Sequence, residues 1–418
     1  MRRVALAALT AVAVLASGAA AAQSATTAAP AVVVATLDTG TNPFHPCFRR
    51  PGLEHPQQVA PSYPASSQPL PLTLADTYQK SLDASAATLQ SIRPNTLYHV
   101  PGTNLSFYGG AGAATEFVDD DPNGGHGAQA SSQIACGGSF GMAPDAQLVV
   151  LNGYDDNSPT NVGQMLRWVG AQPWIDVVHL NIQDLPGVLP WEEITALNET
   201  GKFVVIAAGN GVNGKSVAYP MELSSYNAPP GSLIAGANDN DGYTYYSNYN
   251  PHVVMDGVNT RAASGTSFDS TTFGGTSSAS PRITGYVARV LADTRSRFGH
   301  TGEGLVTIPA GNPRPSTGPL SDGRLTSPEL HEVVRKTADP NSHASKYDGG
   351  SGTATPNQPI PQPTPLPFAF YPKMGYGEVS EVTLPNALAV LAGDAPMPAR
   401  PYEDRFYEAS EALRNSGV

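Results

Sequence analysis

The sequence predicts a three-layer α/β fold: a mostly parallel central sheet covered by helices on both faces. Three observations carry this. Short apolar runs of strand length recur at residues 31–37, 147–151, 176–182, 202–208 and 232–237, and each ends in Gly, Asp or Asn. Helical patterns fall between them, at 127–135, at 161–172 with Leu166 and Val169 on one face, and at 189–200. Unbroken apolar strands alternating with helices are buried on both faces and joined by crossovers, so the sheet is parallel. The third observation is compositional. Charged residues make up 14% of 418 residues, while Gly 42 and Pro 39 are abundant, which argues against a coiled coil or a charge-rich disordered chain.

Taken in chain order, Arg2 and Arg3 precede an apolar run at 4–16 and the small residues Ala20-Ala21-Ala22. This pattern is a secretory signal peptide, residues 1–22, and is too short to span a membrane. A flexible lead, 23–30, follows. The mature protein is expected to be secreted, with no membrane attachment after signal removal. Cys47 and Cys136, the two cysteines, would then meet an oxidising environment. With Lys+Arg 23 against Asp+Glu 35 and a net charge of −12, no affinity for nucleic acid is expected.

The main domain is expected over 31–393. Residues 46–115 form a Pro-rich insertion around an amphipathic helix, with Leu74, Tyr78, Leu82, Ala86 and Leu89 on one stripe, and should pack on the domain as core contact. A Pro-rich strap at about 356–372 should run extended. Helical patterns at 381–392 and 403–414 are expected at the periphery, the second in a C-terminal tail, 394–418.

Ligands of open α/β sheets sit at the carboxyl ends of the strands, and four elements place polar groups there. Asp38 ends the first strand in Leu37-Asp38-Thr39-Gly40. His126, in Gly124-Gly125-His126-Gly127-Ala128, stands at a helix start, and Asn210 ends the strand in Ala207-Ala208-Gly209-Asn210. Ser277, in Gly274-Gly275-Thr276-Ser277-Ser278-Ala279-Ser280-Pro281, precedes an apolar-periodic helix, with Pro281 expected in its first turn. Ser264-Gly265-Thr266-Ser267 repeats the tripeptide, but no helix follows Ser267, which is assigned to a loop. A serine hydroxyl needs a base to take its proton and an acid to orient that base. Asp38, His126 and Ser277 supply these parts, and an amide such as Asn210 stabilises the oxyanion.

These residues resemble the subtilisin-like serine peptidases, whose triad runs Asp, His, Ser along the chain. Val34-Ala35-Thr36-Leu37-Asp38-Thr39-Gly40 is similar to the Asp motif, Gly125-His126-Gly127 to the His motif, and Gly141-Met142-Ala143-Pro144 to the strand lead that follows it. Asp176-Val177-Val178 resembles the substrate-side strand, and Gly275-Thr276-Ser277 with Ala279 and Pro281 the nucleophile motif. The resemblance covers about Val32 to Ala292, and weakly Gly375-Tyr376-Gly377. It implies a subtilisin-like fold and a secreted endopeptidase acting on polypeptides. Ser277 would be the nucleophile, His126 the base, Asp38 its orienter, and Asn210 the oxyanion donor. By the same resemblance Asn181, Ile182, Gln183 and Gly209 would contact substrate.

Departures from the pattern are informative. Asn181-Ile182-Gln183 replaces the usual Ser-Leu-Gly, and Ala128-Gln129 follows His126-Gly127 where Thr is usual. These motivate an alternative, a catalytically inactive peptide-binding scaffold; a peptide ligase with the same triad is another. His126 and Asn210 argue against the related acid-active Glu/Asp/Ser enzymes. The usual long inhibitory propeptide does not fit between Ala22 and Val32. Many members hold calcium where Cys47 stands, while the facing loop, Cys136-Gly137-Gly138-Ser139-Phe140, has no ligands of the kind calcium needs. A Cys47–Cys136 disulfide is therefore expected in calcium's place. No metal or other cofactor is expected; weak calcium binding is left open at Asp119-Asp120-Asp121, Asp155-Asp156 and Asn238-Asp239-Asn240-Asp241, which read as surface turns. No His-Glu-x-x-His spacing supports zinc. A monomer is expected.

Overall fold

The computed structural model describes residues 29–109, 117–119, 124–152, 159–181, 190–211, 228–229, 231–239, 242–243, 246–248, 251–340 and 374–399. The first elements are β1 (Val33–Asp38), β2 (Gln68–Pro69), α1 (Tyr78–Leu89), β3 (Thr96–His99), β4 (Leu105–Gly109), α2 (His126–Ala135) and β5 (Gln147–Asn152). Then come α3 (Pro159–Gly170), β6 (Val177–Leu180), α4 (Trp191–Glu199), β7 (Phe203–Ala207), β8 (Ser232–Asp239), β9 (Gly242–Tyr243) and β10 (Val253–Asp256). The chain continues through β11 (Thr260–Ala263), β12 (Ser270–Phe273), α5 (Thr276–Phe298), β13 (Val306–Thr307), β14 (Arg324–Leu325), α6 (Ser327–Thr337) and α7 (Leu384–Leu391).

A ten-stranded sheet organises the molecule in the order β10-β8-β7-β6-β1-β5-β4-β3-β2, with β9 paired to β8. β1, β5, β6, β7, β8 and β10 are mutually parallel, and each predicted strand lies within this set. Alternate residues of these apolar strands serve opposite faces. Val34, Leu148, Val150, Val177, Phe203 and Val205 pack in one core with Ile283, Val287 and Leu291 of α5. Val33, Ala35, Leu37, Val149, Val178 and Ile206 pack in a second with Leu166 and Val169 of α3 and Ile194 and Leu197 of α4. The three predicted layers are therefore present, with α2 and α5 on one face and α3 and α4 on the other.

The insertion differs from expectation. It does not merely pack on the domain: β4 pairs parallel to β5, and the β3–β4 hairpin and β2 lengthen the sheet at that edge. The stripe on α1 is only partly the core contact expected: Tyr78, Leu82 and Leu89 are half-buried, with Leu89 against the core and Tyr78 edge-on to Phe44, but the most deeply buried residues of this face are serines. Ser81 and Ser85 are buried while Ala86 is exposed, because the serine hydroxyls accept from the backbone N–H groups of Ala75 (2.9 Å) and Thr73 (2.8 Å). Nor is the helix expected near 381–392 peripheral. As α7 it packs on α5 and buries Ala387, Val390 and Leu391. The signal segment, the strap at 356–372 and the helix at 403–414 lie outside the described residues.

Pro281 lies in the second turn of α5, inside the helix, and not in its first turn. A proline there has no N–H for the carbonyl four residues earlier, which is that of Ser277. Cys47 and Cys136 form a disulfide with Cα atoms 4.9 Å apart, tying the turn after β1 to the C-terminus of α2.

Candidate active site

Asp38 is the last residue of β1 and is fully buried. Its Oδ1 accepts from the Thr39 backbone N–H at 2.8 Å and lies 2.7 Å from Nδ1 of His126; its Oδ2 accepts from Nδ2 of Asn181 at 2.9 Å. Burial alone would raise the carboxyl pKa, but attraction to His126 and the hydrogen bonds from His126, Thr39 and Asn181 outweigh it and hold the group below its ordinary value. The carboxylate is thus ionised at neutral pH.

His126 is the first residue of α2 and stands edge-on to Phe273, with ring centroids 5.2 Å apart. Gly127 lets the helix start approach β1, since a Cβ there would lie 2.4 Å from the Gly40 carbonyl oxygen. The same junction is fixed by two side chains. Thr39 Oγ1 accepts from the Gly127 N–H at 2.8 Å and donates to Asp119 Oδ2 at 3.0 Å, and Asp119 Oδ2 also accepts from the Ala128 N–H at 2.8 Å. Asp119 is buried and places its carboxylate on the positive end of α2. It is therefore not the exposed turn residue that the acidic run suggested. Asp120, Asp121, Asp155, Asp156, Asn240 and Asp241 lie outside the described residues, and Asn238 is a buried strand residue of β8.

Ser277 is the second residue of α5, half-buried, and follows Gly275, whose φ of 88° is open to glycine and strained for other residues. Asn210 follows β7. Its Oδ1 accepts from the Thr276 N–H at 3.0 Å and from Thr276 Oγ1 at 3.3 Å. That pairing fixes which end of the amide is the donor end. A Cβ on Gly275 would lie 3.1 Å from Asn210 Nδ2, so glycine also makes room for the amide. Gly209 has its carbonyl occupied by the Asn248 N–H at 3.1 Å.

The Asn181 side chain is buried: Nδ2 donates to Asp38 and, at 3.1 Å, to the Ser277 carbonyl left without a helical partner by Pro281, so any contact of Asn181 with substrate falls to its backbone. Its amide supports the constellation from beneath. Ile182 and Gln183 lie outside the described residues. Ser267 lies in the loop between β11 and β12, as expected, and uses its carbonyl to accept from Asn42. Sequence reasoning also missed Thr36, Asp119, His179 and Ser280. The available signal for Thr36 and His179 was a polar residue on one face of an otherwise apolar strand.

Among the described residues, His45, Cys47 and Cys136 are the group with spacing suited to a metal, their ligand atoms all within 4.8 Å, but the two sulfurs are bonded to each other. A cavity of about 1080 Å³ opens at the opposite end of the strands, between Val32, Leu53, Ala146 and Ala292, and none of Asp38, His126, Asn210 or Ser277 lines it.

A doubly covered parallel sheet with Asp38, His126 and Ser277 in that chain order at one end defines the subtilisin-like class of α/β proteins. The chain belongs to the subtilase family of serine peptidases, whose family model matches residues 29–303. Subtilisin-like protease 9 of Arthroderma benhamiae is 29% identical over 198 residues, covering 44% of this chain and 48% of that protein. The match thus spans about half the length of this relative. A cold-adapted subtilisin-like serine proteinase superposes with a TM-score of 0.45 at 16% identity, covering 75% of this chain and 84% of that one. The protease domain of PatA superposes at 0.48 and 15% identity, covering 89% and 99%.

Proposed function

We propose that this chain is a secreted serine endopeptidase that cleaves polypeptides through an acyl-enzyme. Ser277 Oγ attacks the peptide carbonyl while His126 Nε2 takes its proton and then delivers it to the leaving amine. Asp38 holds His126 through Nδ1 and stabilises the imidazolium that forms. The backbone N–H of Ser277 and Asn210 Nδ2 receive the oxyanion. Water then releases the acyl group by the same path in reverse.

The observation that carries this reading is the 2.7 Å pairing of fully buried Asp38 with His126, its carboxylate kept ionised. Asn181 strengthens it. The residue that motivated an inactive scaffold donates to both Asp38 and the backbone of Ser277, an arrangement with a clear use in a working triad. Secretion is supported by the pattern in residues 1–22 and by the disulfide, which persists in oxidising compartments. Polypeptides are the proposed partners, and the protein acts as a monomer without a cofactor.

The test is labelling of the folded mature protein with a fluorophosphonate, together with hydrolysis of a denatured protein substrate. Wild type should label and cleave, and Ser277→Ala should lose labelling and about 10⁴- to 10⁶-fold in kcat. Folded wild type that neither labels nor cleaves would overturn the reading. Transfer of the acyl group to added amines in preference to water would instead identify a ligase.

A further inference from the structure

A second polar line runs beneath the triad. Strand periodicity turns Val34, Thr36 and Asp38 of β1 toward α5, and Val177, His179 and then Asn181 along β6. Thr36 and His179 are register partners across these strands. His179 Nδ1 lies 3.0 Å from Thr36 Oγ1, and its Nε2 lies 3.0 Å from Ser280 Oγ. Ser280 Oγ is 2.9 Å from Asn181 Oδ1, and Asn181 Nδ2 reaches Asp38 and the Ser277 carbonyl. Thr36, His179, Ser280, Asn181 and Asp38 are all buried.

The donor at each link follows from chemistry. A carboxylate and a carbonyl can only accept, so the NH2 end of Asn181 faces Asp38 and Ser277. Its Oδ1 then faces Ser280, whose single hydroxyl proton must point to it. The remaining lone pair of Ser280 accepts from His179, which puts a proton on Nε2 and leaves Nδ1 to accept from Thr36. Burial holds the imidazole pKa down to about 4, with Asp38 pulling the other way and His126 adding to the lowering, so one proton is all the ring carries at neutral pH.

We propose that His179 is a positioning residue of the catalytic centre: the proton on its Nε2 fixes Ser280 and, through it, the orientation of the Asn181 amide that holds Asp38 and the backbone of Ser277. This rests on the peptidase reading above. Without His179, Ser280 can turn its hydroxyl to the helix carbonyl four residues back, and Asn181 Oδ1 loses the hydrogen bond from Ser280. A flipped amide would then set its oxygen against the Asp38 carboxylate and the Ser277 carbonyl. The residues involved, Thr36, His179 and Ser280, touch neither substrate nor the reacting atoms. Pro281 is what frees the Ser277 carbonyl for this use.

The test compares His179→Phe, which fills the space and cannot donate, with His179→Gln, whose amide can donate to Ser280. On a chromogenic peptide, His179→Phe should lower kcat about ten- to a hundredfold with KM within about twofold, the scale of a misplaced catalytic group. His179→Gln should recover most of the loss. Ser280→Ala should lower kcat similarly, and the double variant with His179→Phe should be no worse than either single. Unchanged kcat in His179→Phe, a loss confined to KM, or losses that multiply in the double variant would overturn the proposal. Nitrogen-15 spectra of the wild-type histidines test it independently of activity and of variant folding: His179 should be neutral with its proton on Nε2, and a proton on Nδ1 refutes the chain. Fluorophosphonate labelling of wild type separates the two claims, since unreactive wild type removes the peptidase reading while the spectra still decide the hydrogen-bond chain.

Discussion

Asn210 holds Thr276 with one end of its amide and is the proposed oxyanion donor with the other, and two substitutions separate these roles. Its oxygen accepts from Thr276 at the start of α5, and its nitrogen is the proposed oxyanion donor. Asn210→Ala should lose both, lowering kcat about 10²- to 10³-fold and costing about 1 kcal/mol of stability through the lost cap. Asn210→Asp keeps the acceptor for Thr276 and removes the donor. It should melt near wild type yet lose at least as much kcat, because its charge also opposes the oxyanion. Steady-state kinetics with thermal melts of both variants check this, and an Asn210→Asp enzyme near wild-type kcat would rule out the oxyanion role. Asp38, His126, Asn210 and Ser277 were legible because each interrupts an apolar pattern at a strand end or helix start. Asn181 was legible as a departure, but the role of its side chain was not, since a group that fills a gap left by Pro281 is identified only when both strands and the helix are in place.

At the scale of elements, the disulfide bridges the turn after β1 and the end of α2, the helix that begins with His126. Closing a separation of 89 residues restricts the unfolded chain by about 4 to 5 kcal/mol on the chain-entropy model. In the native state α2 has other holds: Arg50 donates to the Ala135 carbonyl at 3.1 Å, and Gln133 Nε2 donates to Thr260 Oγ1 at 2.6 Å. Cys47→Ser with Cys136→Ser should therefore melt several degrees lower while keeping kcat at 25 °C within a few-fold. Calorimetry with and without reductant measures the first effect, and an unchanged melting temperature would falsify the bridge's role. The buried parallel strands were readable from their unbroken apolar runs. β3 and β4 were not, because a Pro-rich neighbourhood hid a short hairpin whose pairing with β5 is set by tertiary contact. On α1 the apolar stripe marked the right side of the helix but not its most buried residues, because serines with local backbone partners can be buried where periodicity favours leucine and alanine.

Across the whole molecule, histidines in three separate regions are held neutral. His179 under the triad and His99 in β3 are each pushed down to about 4, and His300 after α5 to about 3, against an ordinary 6.5. Burial is the leading cause in all three, reinforced by His126 at His179, by His55 at His99 and by Arg295 at His300, and partly offset at His179 by Asp38. A base with a depressed folded pKa takes up its proton first in the unfolded chain, so the unfolded state binds more protons between the two values and stability is lost as the pH drops through that window. For fully buried His179 the penalty accumulates to on the order of 3 kcal/mol by the foot of the window; the less deeply buried His99 and His300 add in the same direction. Asp38 has the opposite placement. Its carboxyl lies below 3.8, so its contribution is intact throughout this range and is lost only in stronger acid. Urea unfolding should therefore give nearly constant stability between about pH 7 and 8, below the window set by buried Lys202, whose pKa burial pushes down to about 8, and a progressive decline from pH 6.5 toward about 5, above the range in which most carboxylates titrate. Replacing His99 and His300 together by Gln should flatten the decline without abolishing it, because the share belonging to His179 remains. A wild-type unfolding free energy that is level from pH 7 to 4.5 would mean that these imidazoles titrate alike in the folded and unfolded chain, and the neutral state assigned to His179 would go with it.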